Sequence, residues 1–192
     1  MRKLLLASSS LYRRQLLEKL HLEFSCCSTD IDERPTPNEL PEALALRLSI
    51  AKAQAARKEF PEHLIIGSDQ VAAFDDCLLG KPGNYEQAFQ QLKAQSGKKV
   101  SFYTGICVLD GNSGEFKTDM DICEVYFRSL SDAQIARYLA KEQTFDCAGS
   151  FKSEGFGISL FSKIAGDDPN ALVGLPLIKL IRLLDAFGLS IP

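Results

Sequence analysis

Two β-type runs, 100–109 and 115–127, flank the turn sequence Asp110-Gly111-Asn112-Ser113-Gly114. So short a connection cannot hold the crossover that parallel strands require, so the two runs form a long hairpin. Any sheet containing that hairpin is at least partly antiparallel. Other strand signals occupy 3–7, 23–27, 64–66, 71–74 and 77–79, with Asp75-Asp76 as a turn before Cys77. A last strand pair is expected around Glu154-Gly155-Phe156-Gly157. Helical patterns alternate with these strands. Leu44, Leu48, Ala51 and Ala55 form one apolar stripe, and Asn84 caps a helix through Ala88, Phe89 and Leu92 that Gly97 ends. Ser131 with Gln134 makes a capping box, and Pro176 opens a final helix with Leu177, Leu180, Ile181 and Leu184 inward and Gly188 as its stop. The pattern predicts an α/β protein, a mixed, twisted β-sheet flanked by helices and not a purely parallel doubly wound one.

At 192 residues and 45% apolar content the chain can bury a sizeable core, and its length fits a single domain over 1–192 with two lobes. A net charge of -3 without a lysine-rich run argues against a nucleic-acid-binding surface. The apolar start Leu4-Leu5-Leu6 stops at Ala7, shorter than a secretory h-region, and reads as a first strand. No run approaches the length of a membrane span, so a cytoplasmic protein without membrane partners is expected. The six cysteines show no Cys-x-x-Cys spacing and read as buried free thiols; with only His21 and His63 as imidazoles, a zinc site is not expected.

Several polar residues stand where apolar patterning does not ask for them. Ser8-Ser9-Ser10 precede a helix whose first turn holds Tyr12, Arg13 and Arg14, and cations are disfavoured at a helix N-terminus unless an anion faces them. Arg14 can pair with Glu18, although basic-before-acidic is the weaker order on a helix. The run Leu64-Ile65-Ile66 ends in Gly67-Ser68-Asp69-Gln70, which puts an acid where strands open onto a crevice. Asp69 is the candidate catalytic carboxylate, and an Asx-turn is the alternative of equal weight. Lys52 lies beside an apolar stripe, which a snorkelling lysine also explains. Lys81, in Gly80-Lys81-Pro82, is held extended by the proline, yet Gly-Lys-Pro alone reads equally well as a loop. Glu33 follows a strand and precedes Arg34, with which it can form a solvated surface pair. Gathered in one crevice, Arg13, Arg14, Lys52, Lys81, Glu33 and Asp69 would suit polyphosphate chemistry, which needs donors for phosphate oxygens, carboxylates for a divalent ion and a base for water. No Walker A sequence and no G-x-G-x-x-G occur.

In order along nearly the whole chain, LASSSLYRRQLL, IDERP, GSDQV, LGKP, FYTG, AGSFKSEGFG and NALVGLPL resemble the motifs of the Maf family of nucleoside triphosphate pyrophosphatases, related in fold to the inosine triphosphate pyrophosphatases. The resemblance implies a fold of that type with a cleft between two lobes, and hydrolysis between the α- and β-phosphates with Mg2+ or Mn2+. It implies Asp69 as general base, Arg13, Arg14, Lys52 and Lys81 as phosphate-binding residues, Ser8 in a phosphate loop, and Glu33 with Asp69 at the metal. Family members are commonly homodimers.

Within the family, Tyr12-Arg13-Arg14, Gln70 and Glu154 are similar to the subgroup that acts on 7-methyl-GTP, in a house-cleaning role against modified nucleotides. That subgroup has Trp where this chain has Tyr12. The methylated base carries a positive charge, which an aromatic face and a carboxylate attract, and Tyr12 and Glu154 can supply both. Simple packing of Tyr12 beside its helix and a polar loop role for Glu154 are the alternatives at those positions. The competing functions are a dTTP/UTP pyrophosphatase and a nucleotide-binding regulator of cell division without turnover.

Overall fold

The computed structural model describes residues 2–75 and 77–191. Asp76, one half of the expected turn before Cys77, lies outside the described residues. The chain forms two compact units. The first takes the residues up to Gln70, Tyr103–Asp121 and those from Asp168 on; the second takes Val71–Phe102 and Ile122–Asp167.

In the first unit, strand β1 (Lys3–Ala7) lies between β2 (Phe24–Cys27) and β3 (His63–Phe74), parallel to both, with Leu5 opposite Ser25 and Ile65. Helices α1 (Leu11–Glu18) and α2 (Pro41–Arg57) are the crossovers that parallel pairing requires. Because strand side chains alternate, Leu4 and Leu6 point to one face and Leu5 and Ala7 to the other. Leu4 and Leu6 join Leu17 of α1 and Leu180 and Leu184 of α5 (Leu177–Ala186) in one apolar cluster. Leu5 and Ala7 join Ala53 and Ala56 of α2 in another. The sheet is therefore covered on both faces, as all-apolar strands demand. Strands β5 (Lys99–Asp110) and β6 (Phe116–Phe127) form the expected hairpin, closed by the amide of Asp110 donating to the carbonyl of Glu115 at 2.9 Å.

In the second unit, the end of β3 pairs antiparallel with β4 (Cys77–Leu79), and β7 (Phe161–Ala165) pairs antiparallel with β6. Helix α3 (Tyr85–Gln95) starts at Asn84, whose side chain accepts from the amide of Gln87 at 2.9 Å. Helix α4 (Asp132–Lys141) carries the capping box of Ser131 and Gln134. Phe102, Phe127, Phe151 and Phe161 meet edge to face, with centroids 4.8–5.7 Å apart, the geometry that aromatic quadrupoles favour. Strand pairing runs β2-β1-β3-β5-β6-β7, with β4 on β3, so the expected mixed α/β sheet is the fold observed. No helix among the described residues is long and apolar enough to cross a membrane.

Four local expectations change. The signals at 64–66 and 71–74 belong to one strand, which does not end at Gly67 but continues through Ser68, Asp69 and Gln70 to Phe74. The polar residues stay in the strand because each finds partners outside its own backbone, as described below. The buried face of α2 holds Leu44, Ala45, Leu48, Ser49, Lys52, Ala53 and Ala56, so Ala55 faces solvent and Ala51 lies at the margin. In α5, Leu183 is buried where Ile181 was expected. No strand precedes Glu154 in that segment; short 3-10 turns at Ala148–Ser150 and Phe156–Leu160 stand there, and β7 follows alone. Gly157 explains the tight path, since a Cβ on it would lie 2.2 Å from the carbonyl oxygen of Lys152.

Of the cysteines, expected to be buried, only Cys107 and Cys123 are; Cys26 sits on edge strand β2 and Cys77 on β4, both exposed. Burial pushes the Cys107 thiol up to about 12, and burial together with Asp146 does the same for Cys147. Since the thiolate is the nucleophile, iodoacetamide at about pH 8 should label Cys77 first and Cys107 only after unfolding, as peptide mass spectrometry would show. Gly67 is the tightest backbone contact of the first unit: a Cβ there would lie 2.1 Å from the carbonyl oxygen of Ser49. Gly67→Ala should lower stability in urea by about 3 kcal/mol, the upper end of ordinary overpacking, because the obstacle is backbone and cannot rotate away.

Candidate active site

Helix α2 carries a row of small residues, Ala45, Ser49 and Ala53, one turn apart and all fully buried. The row lies on two glycines. Gly67 meets Ser49 and Ala53, and Gly105 of β5 meets Ala45, whose carbonyl oxygen would be 2.5 Å from an added Cβ. Helix backbone and strand backbone thus touch without side chains between them. Lys52 lies within this contact, and Asp69, two residues beyond Gly67, points to the same face of β3.

The consequence is a buried ion pair. Lys52 Nζ donates to Asp69 Oδ1 at 2.5 Å and lies 2.7 Å from Glu33 Oε1. The side chains of Lys52 and Asp69 are only 10% and 12% exposed, whereas that of Glu33 is 59% exposed. A snorkelling lysine would carry its ammonium to water; this one turns it inward. The Asx-turn alternative for Asp69 fails as well, since Asp69 is extended and its partner lies on a helix. Arg34 grips Asp32 at 2.6 Å, while Glu33 reaches Lys52.

The other face of β3 carries Ser68 and Gln70, and both reach the turn that precedes α5. Ser68 Oγ donates toward the carbonyl oxygens of Gly105 at 2.9 Å and Gly174 at 3.1 Å. Gln70 Nε2 donates to the carbonyls of Ala171 and Leu172 and to Thr104 Oγ1, at 2.9–3.0 Å. Thr104 Oγ1 in turn donates to Ala171 O at 3.0 Å. Arg13 Nε donates to Gly174 O at 2.8 Å. Burial lowers the pKa of that guanidinium, while the negative charges of Asp69 and Glu33 pull it back up. Sequence reasoning passed over Ser68 and Thr104 as partners of this turn. Their signal was a hydroxyl beside a glycine inside an apolar run, in IIGSD and YTGIC.

At the start of α1, Ser10 Oγ accepts from the amide of Arg13 at 3.4 Å, and buried Ser8 Oγ accepts from the amide of Ser10 at 3.1 Å. Arg14 is exposed and donates to Glu18 at 3.1 Å, so its anion is on its own helix. Tyr12 is half-buried on the first turn. Arg13, Lys52, Glu33 and Asp69 are therefore brought together in the first unit, with Gln70 and Ser8 on the same framework.

Lys81 and Glu154 belong to the second unit. Lys81 is exposed between Gly80, whose carbonyl accepts from Gln91 at 3.1 Å, and buried Pro82. Glu154 is exposed and accepts from Ser153 Oγ at 3.2 Å. Its loop is tied to α4 through Glu142 Oε1, which accepts from the amide of Phe156 at 2.9 Å, and Tyr138 Oη, which accepts from the amide of Lys152 at 3.2 Å.

No three His, Cys, Asp or Glu side chains gather among the described residues. The carboxylates that a divalent ion would use are Glu33 and Asp69, both of which meet the Lys52 ammonium in this structure. Two such oxygens completed by phosphate and water are the set from which proteins commonly hold Mg2+, so the donors fit.

A family model described as Maf-like protein matches residues 3–187, and this chain belongs to the Maf family. It is 54% identical over 188 residues to a 7-methyl-GTP pyrophosphatase of Pseudoalteromonas translucida, covering 98% of this chain and 93% of that protein. It is 52% identical over 185 residues to another from Nitrosococcus oceani, covering 96% and 93%. Among solved structures, the Ham1 protein of Staphylococcus aureus matches with a TM-score of 0.44 at 13% identity, over 66% of this chain and 72% of that one, a likeness too loose to carry weight.

Removing one partner of a buried pair leaves the other charge uncompensated. Lys52→Met should therefore destabilise the protein by about 3–5 kcal/mol in urea, while Arg14→Met, which breaks an exposed pair, should change it by no more than about 1 kcal/mol.

Proposed function

We propose that this protein hydrolyses the α–β phosphoanhydride of 7-methyl-GTP to 7-methyl-GMP and pyrophosphate. The observation that carries the reading is the buried Lys52–Asp69 pair, with the exposed carboxylate of Glu33 on the same ammonium and Arg13 within the field of both acids. The names of the relatives, at 54% and 52% identity over nearly full length, support the substrate.

Asp69 orients a water and takes its proton as the oxygen attacks phosphorus and the bond to the bridging oxygen breaks. Lys52 holds the Asp69 carboxylate in place and faces the phosphates. Arg13, its Nε fixed by Gly174, directs its remaining N–H groups to phosphate oxygens and offsets charge on the departing pyrophosphate. Ser8 and Arg14 are assigned as further phosphate contacts by family resemblance, and Arg14 would leave Glu18 to make its contact. Glu33 and Asp69 would hold Mg2+ or Mn2+, which when bound supplies charge neutralisation at the phosphate oxygens. Lys81 as a phosphate ligand, and Tyr12, Gln70 and Glu154 as residues selecting the base, are assigned by family resemblance. Homodimeric assembly rests on the same ground, and the reaction is placed in the cytoplasm, where nucleoside triphosphates are made and used.

The test is release of pyrophosphate and orthophosphate with Mg2+ from 7-methyl-GTP, GTP, dTTP and UTP offered side by side. Pyrophosphate should come at least about tenfold faster from 7-methyl-GTP, and Asp69→Asn should slow it by about 10²–10⁴-fold, the usual weight of a general base. Preference for dTTP or UTP would overturn the base assignment. Nucleotide binding without pyrophosphate from any of them would identify a regulator.

A further inference from the structure

We propose that Ser68 is a positioning residue for Arg13, acting through the carbonyl oxygen of Gly174; the inference rests on the reading of Arg13 as a phosphate ligand. Ser68 is fully buried, and its hydroxyl has one proton, which it directs toward Gly105 O and Gly174 O. Gly174 O also accepts from Arg13 Nε at 2.8 Å. A carbonyl oxygen has two lone pairs, so Gly174 O can accept from Arg13 and from the shared proton of Ser68 together.

The turn that carries this carbonyl is tied down, since the amide of Gly174 donates to Ala171 O at 2.9 Å. Gly174 is left-handed at φ +118°, and an added Cβ would lie 3.4 Å from Arg13 Nε. On one side, Thr104 and Gln70 hold Ala171 O. On the other, Asp168 accepts from the amide of Ile178 at 2.7 Å and from that of Asn170 at 2.8 Å, which fixes the start of α5. Ser68 is the member of this set that shares an acceptor with Arg13. Because Ser68 is next to Asp69 along β3, the strand that presents the carboxylate also sets the direction of the guanidinium.

A double-mutant cycle tests this, because a residue acting only through Arg13 has nothing left to do once Arg13 is gone. Ser68→Ala should lower kcat/KM for 7-methyl-GTP by about 10–100-fold, as a misplaced positioning group does, with little change in the urea midpoint. In an Arg13→Ala background the same change should have less than about a twofold effect. Effects that multiply in the double variant, or a single variant with unchanged kcat/KM, would overturn the proposal. If Ser68→Ala does not fold, Ser68→Cys, whose sulfhydryl is a weak donor, carries the same cycle. If the wild-type protein releases no pyrophosphate, the functional reading fails by itself, and the cycle is then read from 7-methyl-GTP affinity with the same two outcomes.

Discussion

An ammonium group turned into a protein interior has to be met by negative charge, and that requirement organises the first unit of this molecule. Lys52 occupies a position on α2 that helical geometry commits to the core, so Asp69 and Glu33 must come to it. Asp69 arrives from the middle of β3 and Glu33 from the segment between β2 and α2. The order of these elements along the chain is thus tied to one pair of charges. In a nucleotide hydrolase this arrangement also has a chemical use, since a carboxylate held rigidly beside a cation needs no rearrangement when phosphate arrives.

The pleat of β3 divides the work between two faces. Gly67 and Asp69 face α2, while Ser68 and Gln70 face the turn before α5. Acid–base chemistry is assigned to the first face and anchoring to the second. A shift of one residue in the register of β3 would exchange the two sets and disable both. Pairing with β1, with Leu5 opposite Ile65 and Leu6 opposite Ile66, is what prevents it.

Features that depend on neighbours in the chain were legible from residues alone. Asn84 and the Ser131–Gln134 box cap the helices they precede, and the hairpin turn falls at Gly111 to Glu115. Features that depend on contact across the fold were not. Gly67-Ser68-Asp69-Gln70 reads as the end of a strand because glycine and polar residues usually stop one; only the approach of α2 and the carbonyls of Gly105 and Gly174 show why the strand continues. The buried face of α2 was misjudged for the same reason: Ala51 and Ala55 look as apolar as Ala45 and Ala53, and it is the glycines opposite that choose between them. Among the candidate site residues, Lys52, Glu33 and Asp69 meet, Lys81 belongs to the other unit, and Arg14 turns to Glu18, the local pairing that spacing on the helix already allowed.

The contact at Gly67 has one more consequence. Most distances in a protein core are set by side chains, and they drift by fractions of an ångström as leucines give way to isoleucines or methionines over evolutionary time. Here the spacing between helix and strand is set by main-chain atoms, which every sequence shares. The gap across which Lys52 meets Asp69 is fixed like a machined stop, and the surrounding core can vary without detuning the chemistry beside it.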